Sequence, residues 1–289
     1  MKVMVTGACG YIGSHLVKRL AEAGSYYVIA VTNRYTENSN LVQYLADEYV
    51  VSTNDNPCRS KTVDTIAHLG GYISVEESVK NPMKYYTGNL QKTCDLLRYN
   101  SYDNIVFAST AAAFDPVSPY AISKLACEDI IKQLSKNYTL FRFFNVSGIN
   151  PGHHYVNPVT HIMNRLAQSI TLQTTFKLNG NDYDTKDGTC IRDYVDINDL
   201  IGAIVKAINI PANTNYECLG SGIGYSNLEV LETMQTVTGK HINYEINPRR
   251  EGDAPKLIVD NVSDYMTVTR DLADMCRSTY EYFENKKNQ

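Results

Sequence analysis

Tyr120 and Lys124 stand four residues apart, directly behind Ser118 and Pro119, and that spacing can do chemistry. On a helix, side chains at i and i+4 share a face, so an ammonium at 124 can lie beside a phenol at 120. A free phenol titrates near ~10 and a neighbouring cation favours its ionised form, which makes the pair a candidate proton-transfer device near neutral pH. Ser118 is expected to cap the helix and Pro119 to open it, placing the pair at an exposed helix mouth. Thr110 follows the strand-like run Asn104–Ala108 and adds a hydroxyl ten residues before Tyr120.

Such a device needs a rigid frame and a partner that can exchange electrons. Lys2–Thr6 reads as a strand, Gly7, Gly10 and Gly13 follow at once, and Ile12, Leu16, Val17 and Leu20 then mark a helix. Strand, glycine turn and helix N-terminus together suit a dinucleotide pyrophosphate, because backbone N–H groups can approach the phosphates and the helix dipole favours their charge. The next strand, Tyr27–Val31, ends in Thr32, Asn33 and Arg34, where an acidic residue would hold the ribose of NAD. Arg34 reads either as a solvated loop cation or as a partner for a 2′-phosphate. Residues 35–63 show no clear motif.

Thr65–Leu69 is a further strand leading into Gly70 and Gly71, and His68 reads as a satisfied structural histidine because no second metal ligand is spaced for it. Asn81 and Pro82 open a helix whose Met83, Tyr86, Leu90, Cys94 and Leu97 form an apolar stripe, with Asn89 beside it, either solvated or turned to the ligand edge. Asn104–Ala108 and Leu140–Asn145 complete a strand and helix alternation that predicts a parallel three-layer α/β sheet with ligands at the carboxyl ends of its strands. A helix is expected from Asn198, with Ile201, Ile204 and Ala207 buried, and another over Leu272–Phe283.

With 43% hydrophobic and 20% charged residues and a net charge of −4, the 289-residue chain has the composition of an ordinary globular protein. Neither a nucleic-acid nor a membrane partner is expected. Seven scattered cysteines without metal-like spacing predict reduced thiols, no metal site and a cytoplasmic setting.

The chain resembles the extended short-chain dehydrogenase/reductase family, and within it the UDP-glucose 4-epimerases. The resemblance rests on Gly7–Gly13, Ser109-Thr110-Ala111, Tyr120 with Lys124, Phe143-Phe144-Asn145, the run from Gly180 to Val195, Leu219-Gly220-Ser221-Gly222 and Arg249-Arg250-Glu251-Gly252-Asp253. It implies a Rossmann-type doubly wound parallel sheet over residues 1–147 plus about 192–214, and a smaller C-terminal α/β UDP-sugar domain over 148–191 plus 215–289. It also implies NAD as cofactor, bound by Gly7, Gly10, Tyr11, Ile12, Gly13, Asn33, Leu69, Gly70, Asn89, Ser109, Tyr120, Lys124 and Phe143. Substrate contacts fall on Thr110, Tyr120, Phe144, Asn145, His161, Arg192, Tyr194, Arg250 and Asp253. The implied reaction interconverts UDP-glucose and UDP-galactose, or the N-acetylated pair, through transient oxidation at C4. Helices around 82–99 and 119–136 would build a homodimer.

Some positions depart from the family pattern. Thr32 lacks the ribose-binding carboxylate and Ile73 replaces a lysine common near the pyrophosphate, so NAD is expected to be loosely held. Ala111 and Ala112 stand where related 4,6-dehydratases carry Asp-Glu, which disfavours dehydration. Leu257 leaves the choice between plain and N-acetylated sugars open. The readings outside epimerisation are a non-catalytic nucleotide-sugar or dinucleotide sensor and another NAD(P)-linked nucleotide-sugar oxidoreductase.

Overall fold

The computed structural model describes residues 1–52, 60–155, 161–249 and 253–288, which divide into two compact units, 1–143 with 201–218 and 144–200 with 219–289. The first unit is built on strands β1 (Lys2–Thr6), β2 (Tyr27–Thr32), β3 (Glu48–Val51), β4 (Thr62–His68), β5 (Ser101–Thr110) and β6 (Asn137–Phe143). All pair in parallel, and with Glu217–Leu219 beside β6 the seven-stranded order is Glu217–Leu219, β6, β5, β4, β1, β2, β3. This is a Rossmann-type α/β sheet, and the order reverses at β1. Ligands in such sheets bind outside the carboxyl ends at that reversal.

Central strands bury both faces, so they are apolar runs rather than alternations. Met4, Ile29, Ile66, Ile105, Phe107 and Leu140 form one contiguous core with Leu96, Leu97 and Ile131 from the helices above. β3 was not legible in the polar stretch 35–63, because an edge strand needs little apolar character. Ile201, Ile204 and Ala207 are buried as expected.

The expected stripe after Asn81 is corrected. The helix Pro82–Tyr85 passes into a π-helical segment, Tyr86–Gln91, before Lys92–Tyr99 resumes. The wider turn rotates the following residues, so the buried positions are Tyr85, Asn89, Thr93, Leu96 and Leu97, while Met83 is 67% exposed. Asn89 and Thr93 tolerate burial because both are hydrogen-bonded.

In the second unit, Asn145–Ser147 pairs in parallel with Ile191–Asp196, which also pairs with Gly224–Ser226 and Lys256–Leu257. Helices Ile162–Leu172, Asn227–Thr238 and Leu272–Lys287 pack Met163, Leu166, Val230, Met234, Met275 and Cys276 into its core. Capping boxes at Ser226 and Asp271 start the last two helices. Among the described residues no helix is long and apolar enough to cross a membrane.

Candidate active site

The turn after β1 is a backbone cradle. Gly7 has φ +66, a left-handed conformation that glycine adopts without strain, and the Gly10 N–H donates to its carbonyl at 2.8 Å. A Cβ at Gly13 would lie 2.1 Å from the Gly7 oxygen, and one at Gly7 would lie 2.8 Å from the Cα of Gly70. Two glycine turns, after β1 and after β4, therefore touch through bare backbone. Helix Tyr11–Ala23 starts here with no side-chain cap and no acidic residue in its first turn, so the N–H groups around Tyr11, Ile12 and Gly13 can receive an anion. Asn33 is exposed just beyond β2, and the Thr32 hydroxyl donates to the Arg34 carbonyl at 2.8 Å.

Ser118 caps the helix Pro119–Leu134 by accepting from the Ala121 N–H at 3.2 Å, and Pro119 is its first residue. The expected exposed mouth is corrected: Tyr120 and Lys124 are only 8% and 4% exposed. The electrostatics differ as well. Burial pushes the Tyr120 phenol above its usual range, opposed by a hydrogen bond from Thr110, and burial draws the Lys124 ammonium down to about 8. That ammonium donates to the Ala108 carbonyl at 2.7 Å and lies 4.7 Å from the Phe107 ring centre. A Cβ at Gly71 would lie 3.4 Å from the Lys124 Nζ and 3.0 Å from the Asn89 Oδ1, so the turn after β4, the π-helical segment and the Pro119 helix converge.

Asn89 braces that turn. Its Oδ1 accepts from the Tyr72 N–H at 2.7 Å, and its Nδ2 donates to the Tyr72 carbonyl at 3.1 Å and to the Ser123 hydroxyl at 3.0 Å. Below it, His68 lies between Thr6 Oγ1, 2.6 Å from Nδ1, and Thr93 Oγ1, 2.9 Å from Nε2. Donor accounting fixes the tautomer. Thr93 donates to the Asn89 carbonyl at 2.8 Å, so it must accept from Nε2–H, which leaves Nδ1 to accept from Thr6. His68 is thus neutral and fully used, as its reading as a structural histidine requires.

Burial, with the Lys124 charge as a smaller cause, lowers His68 to about 3. Unfolded histidine titrates near ~6.5, so between those values the unfolded chain takes up a proton that the folded chain refuses, and stability falls as pH drops through the window. The loss is about 2 kcal/mol between pH 7 and 5. Urea titrations across that range should show a steeper decline for wild type than for His68→Gln.

In the second unit, the Asn145 Nδ2 donates to the Asp193 carbonyl at 3.0 Å. Asp193 is fully buried and accepts from the Ser221 N–H at 2.7 Å, the Ser221 hydroxyl at 2.8 Å and the Gly222 N–H at 3.0 Å, fixing the loop after Leu219. Arg192 donates to the Ala254 carbonyl at 2.8 Å and lies 3.5 Å from the Asp253 carboxylate, one cation and one anion side by side. Tyr194 is buried in the core of this unit, Phe144 is 8% exposed, and His161 is exposed at the start of helix Ile162–Leu172. Arg250 lies outside the described residues.

A profile of the NAD dependent epimerase/dehydratase family matches residues 3–218. The chain belongs to this family. The UDP-glucose 4-epimerase of Lactobacillus helveticus is 36% identical over 90% of this chain and 89% of its own length, and that of Mycoplasma genitalium 31% over 99% and 97%. Among solved structures, the UDP-glucose 4-epimerase of Bifidobacterium longum in complex with NAD+ and UDP shares a TM-score of 0.83 at 26% identity, covering 100% of this chain and 99% of its own. The enzyme from Stenotrophomonas maltophila, with bound NAD and formylated UDP-arabinopyranose, gives 0.85 at 25% identity over the same shares.

The first unit fits the family's cofactor, since the glycine cradle leaves no room for side chains where a pyrophosphate would meet the helix N-terminus. Leu69 and Gly70 line the second turn, and Phe143 closes β6 with 9% exposure. Ser109, expected beside the cofactor, gives its hydroxyl to Glu128. Sequence reasoning passed over Glu128, Arg142, Ser123, Thr6, Thr93 and Asp193. Only Glu128 carried a local signal, one helical repeat beyond Lys124.

Proposed function

We propose that this member of the epimerase/dehydratase family is an NAD-dependent UDP-sugar 4-epimerase acting on UDP-glucose and UDP-galactose. The observation that carries the reading is the buried Tyr120 and Lys124 pair with the half-buried Thr110 at the carboxyl edge of a sheet whose β1 turn is a bare glycine cradle. When bound, NAD supplies a reversible hydride acceptor and a positive ring.

Tyr120 takes the proton of the sugar 4-hydroxyl, and Thr110 donates to that oxygen or to the phenolate. Lys124 stabilises the phenolate and holds the nicotinamide ribose. Asn145, Tyr194, Arg192, Arg250 and Asp253 hold the nucleotide and sugar, with Arg192 and Arg250 supplying positive charge for the diphosphate. Within the family, dehydration is disfavoured because Ala111 and Ala112, beside Thr110, have no proton-transfer group.

The test is to incubate the protein with NAD and, separately, UDP-glucose and UDP-N-acetylglucosamine, and to follow anomeric protons by NMR. A galacto-configured product establishes the reaction and selects the sugar; binding of either sugar without product overturns it.

NAD is held loosely, because the Thr32 hydroxyl is committed to its own loop and Ile73, 64% exposed, brings no cation. Protein purified without added cofactor is expected to carry well under one equivalent, read by absorbance and enzymatic assay of the released dinucleotide. A homodimer forms through the helices around 82–99 and 119–136, whose Met83 and Ile122 are 67% and 41% exposed. Sedimentation equilibrium should return about twice the chain mass of 32.4 kDa.

A further inference from the structure

Tyr120, Lys124 and Glu128 stand at i, i+4 and i+8 on the Pro119 helix, so the face that carries the reacting groups continues to a carboxylate with no solvent exposure. Glu128 holds two neighbouring strands at once. Its Oε1 accepts from the Arg142 Nε at 2.9 Å and its Oε2 from Nη2 at 2.8 Å, while the Ser109 hydroxyl also donates to Oε1. Ser109 and Arg142 are register partners across β5 and β6, and Thr110 and Phe143 are the next pair. The guanidinium lies against the Tyr216 and Phe114 rings, 4.0 and 4.7 Å from their centres. Phe114 closes the 3-10 turn Ala111–Phe114 that follows Thr110.

Thr110 is therefore pinned on both sides: by Ser109 before it and by the turn ending in Phe114 after it, both tied to the same ion pair. A buried pair of this kind is weak evidence for stability, because desolvation offsets much of the attraction, but its fixed geometry suits positioning. We propose that Glu128 and Arg142, acting through Ser109 and Phe114, are positioning residues that fix the strand end bearing Thr110 against the helix bearing Tyr120 and Lys124. Their contribution is to hold the Thr110 hydroxyl toward the Tyr120 phenol. A misplacement of about 1 Å in such a contact can lower a rate by roughly two orders of magnitude.

The reading of activity rests on the epimerase assignment, so the test carries a readout that does not. In protein labelled with 13Cζ-tyrosine, the Tyr120 signal is assigned by its loss in Tyr120→Phe. Ser109→Ala removes one hydroxyl and leaves the Arg142–Glu128 fork intact; Glu128→Gln with Arg142→Met removes both buried charges and avoids stranding either. Positioning predicts that Ser109→Ala shifts the Tyr120 signal and lowers kcat about tenfold, with KM and NAD affinity within about twofold, and that Ser109→Thr restores most of both. The double variant should lower kcat about a hundredfold with its fold retained. An unmoved Tyr120 signal in Ser109→Ala overturns the proposal, as does a loss of kcat matched by equal losses in KM and NAD affinity. If wild type turns over no sugar, the epimerase reading fails, and the Tyr120 signal still decides the positioning role.

Discussion

Tyr120→Phe should lower kcat about a thousandfold, near 4 kcal/mol of transition-state stabilisation, while NAD and UDP bind within about twofold of wild type. The substitution removes one oxygen from a ring that is 8% exposed and edge-on to Tyr85, with ring centres 6.3 Å apart, so packing is preserved. What is lost is the phenol oxygen whose ionisation the Thr110 hydroxyl favours. The buried phenol sits above its usual range, so ionising it at neutral pH requires help from positive charge; Lys124, drawn down to about 8, is the cation closest in sequence on that face. Activity should accordingly rise with pH from the acid side, as Tyr120 ionises, and the Phe variant should show a flat residual rate. Anomeric proton NMR gives the rate and isothermal titration with UDP gives the binding; a Phe variant within about fivefold of wild type would remove Tyr120 as the proton acceptor.

What could be read in advance divides by sequence distance. The Ser118 cap, the Pro119 start and the Tyr120 and Lys124 spacing depend on residues within one helical turn or two, and all stand as expected. Their burial does not depend on local spacing, and it reversed the expected direction of the Tyr120 shift. The His68 bridge joins residues 62 and 25 positions away, and nothing near His68 names Thr6 or Thr93 as its partners. Asp193 collects donors 28 and 29 residues later, so in sequence it is only a member of a motif. The π-helical segment was hidden for another reason: apolar residues at Met83, Tyr86 and Leu90 fit an ordinary helix, while the buried positions are occupied by Asn89 and Thr93, which no apolar pattern selects.

Gly13→Ala should be among the most damaging single-methyl changes at the described residues. The added carbon would sit 2.1 Å from the Gly7 oxygen, 2.8 Å from its carbonyl carbon and 2.9 Å from the Ala8 Cα, all backbone atoms that cannot swing aside. Relief requires the start of helix Tyr11–Ala23 to lift from the turn. That turn is in turn fixed from the other side, since Gly7 abuts Gly70 and the Gly70 N–H donates to Thr6 Oγ1 at 3.2 Å. Overpacking of this kind costs about 3 kcal/mol, and more where backbone must move. The same displacement removes the helix N-terminus from beneath the pyrophosphate, so NAD affinity should fall by more than about tenfold beyond any loss of folded protein. Gly24→Ala is the matched control for stability: it also perturbs a helix end, at φ +66, but an added Cβ there meets nothing within 4 Å. Urea midpoints and NAD titrations of the two variants separate the effects. Gly24→Ala should lose stability through backbone strain alone and keep its NAD affinity, and equal NAD affinities in the two variants would show that the Gly7 to Gly13 contact does not shape the cofactor site.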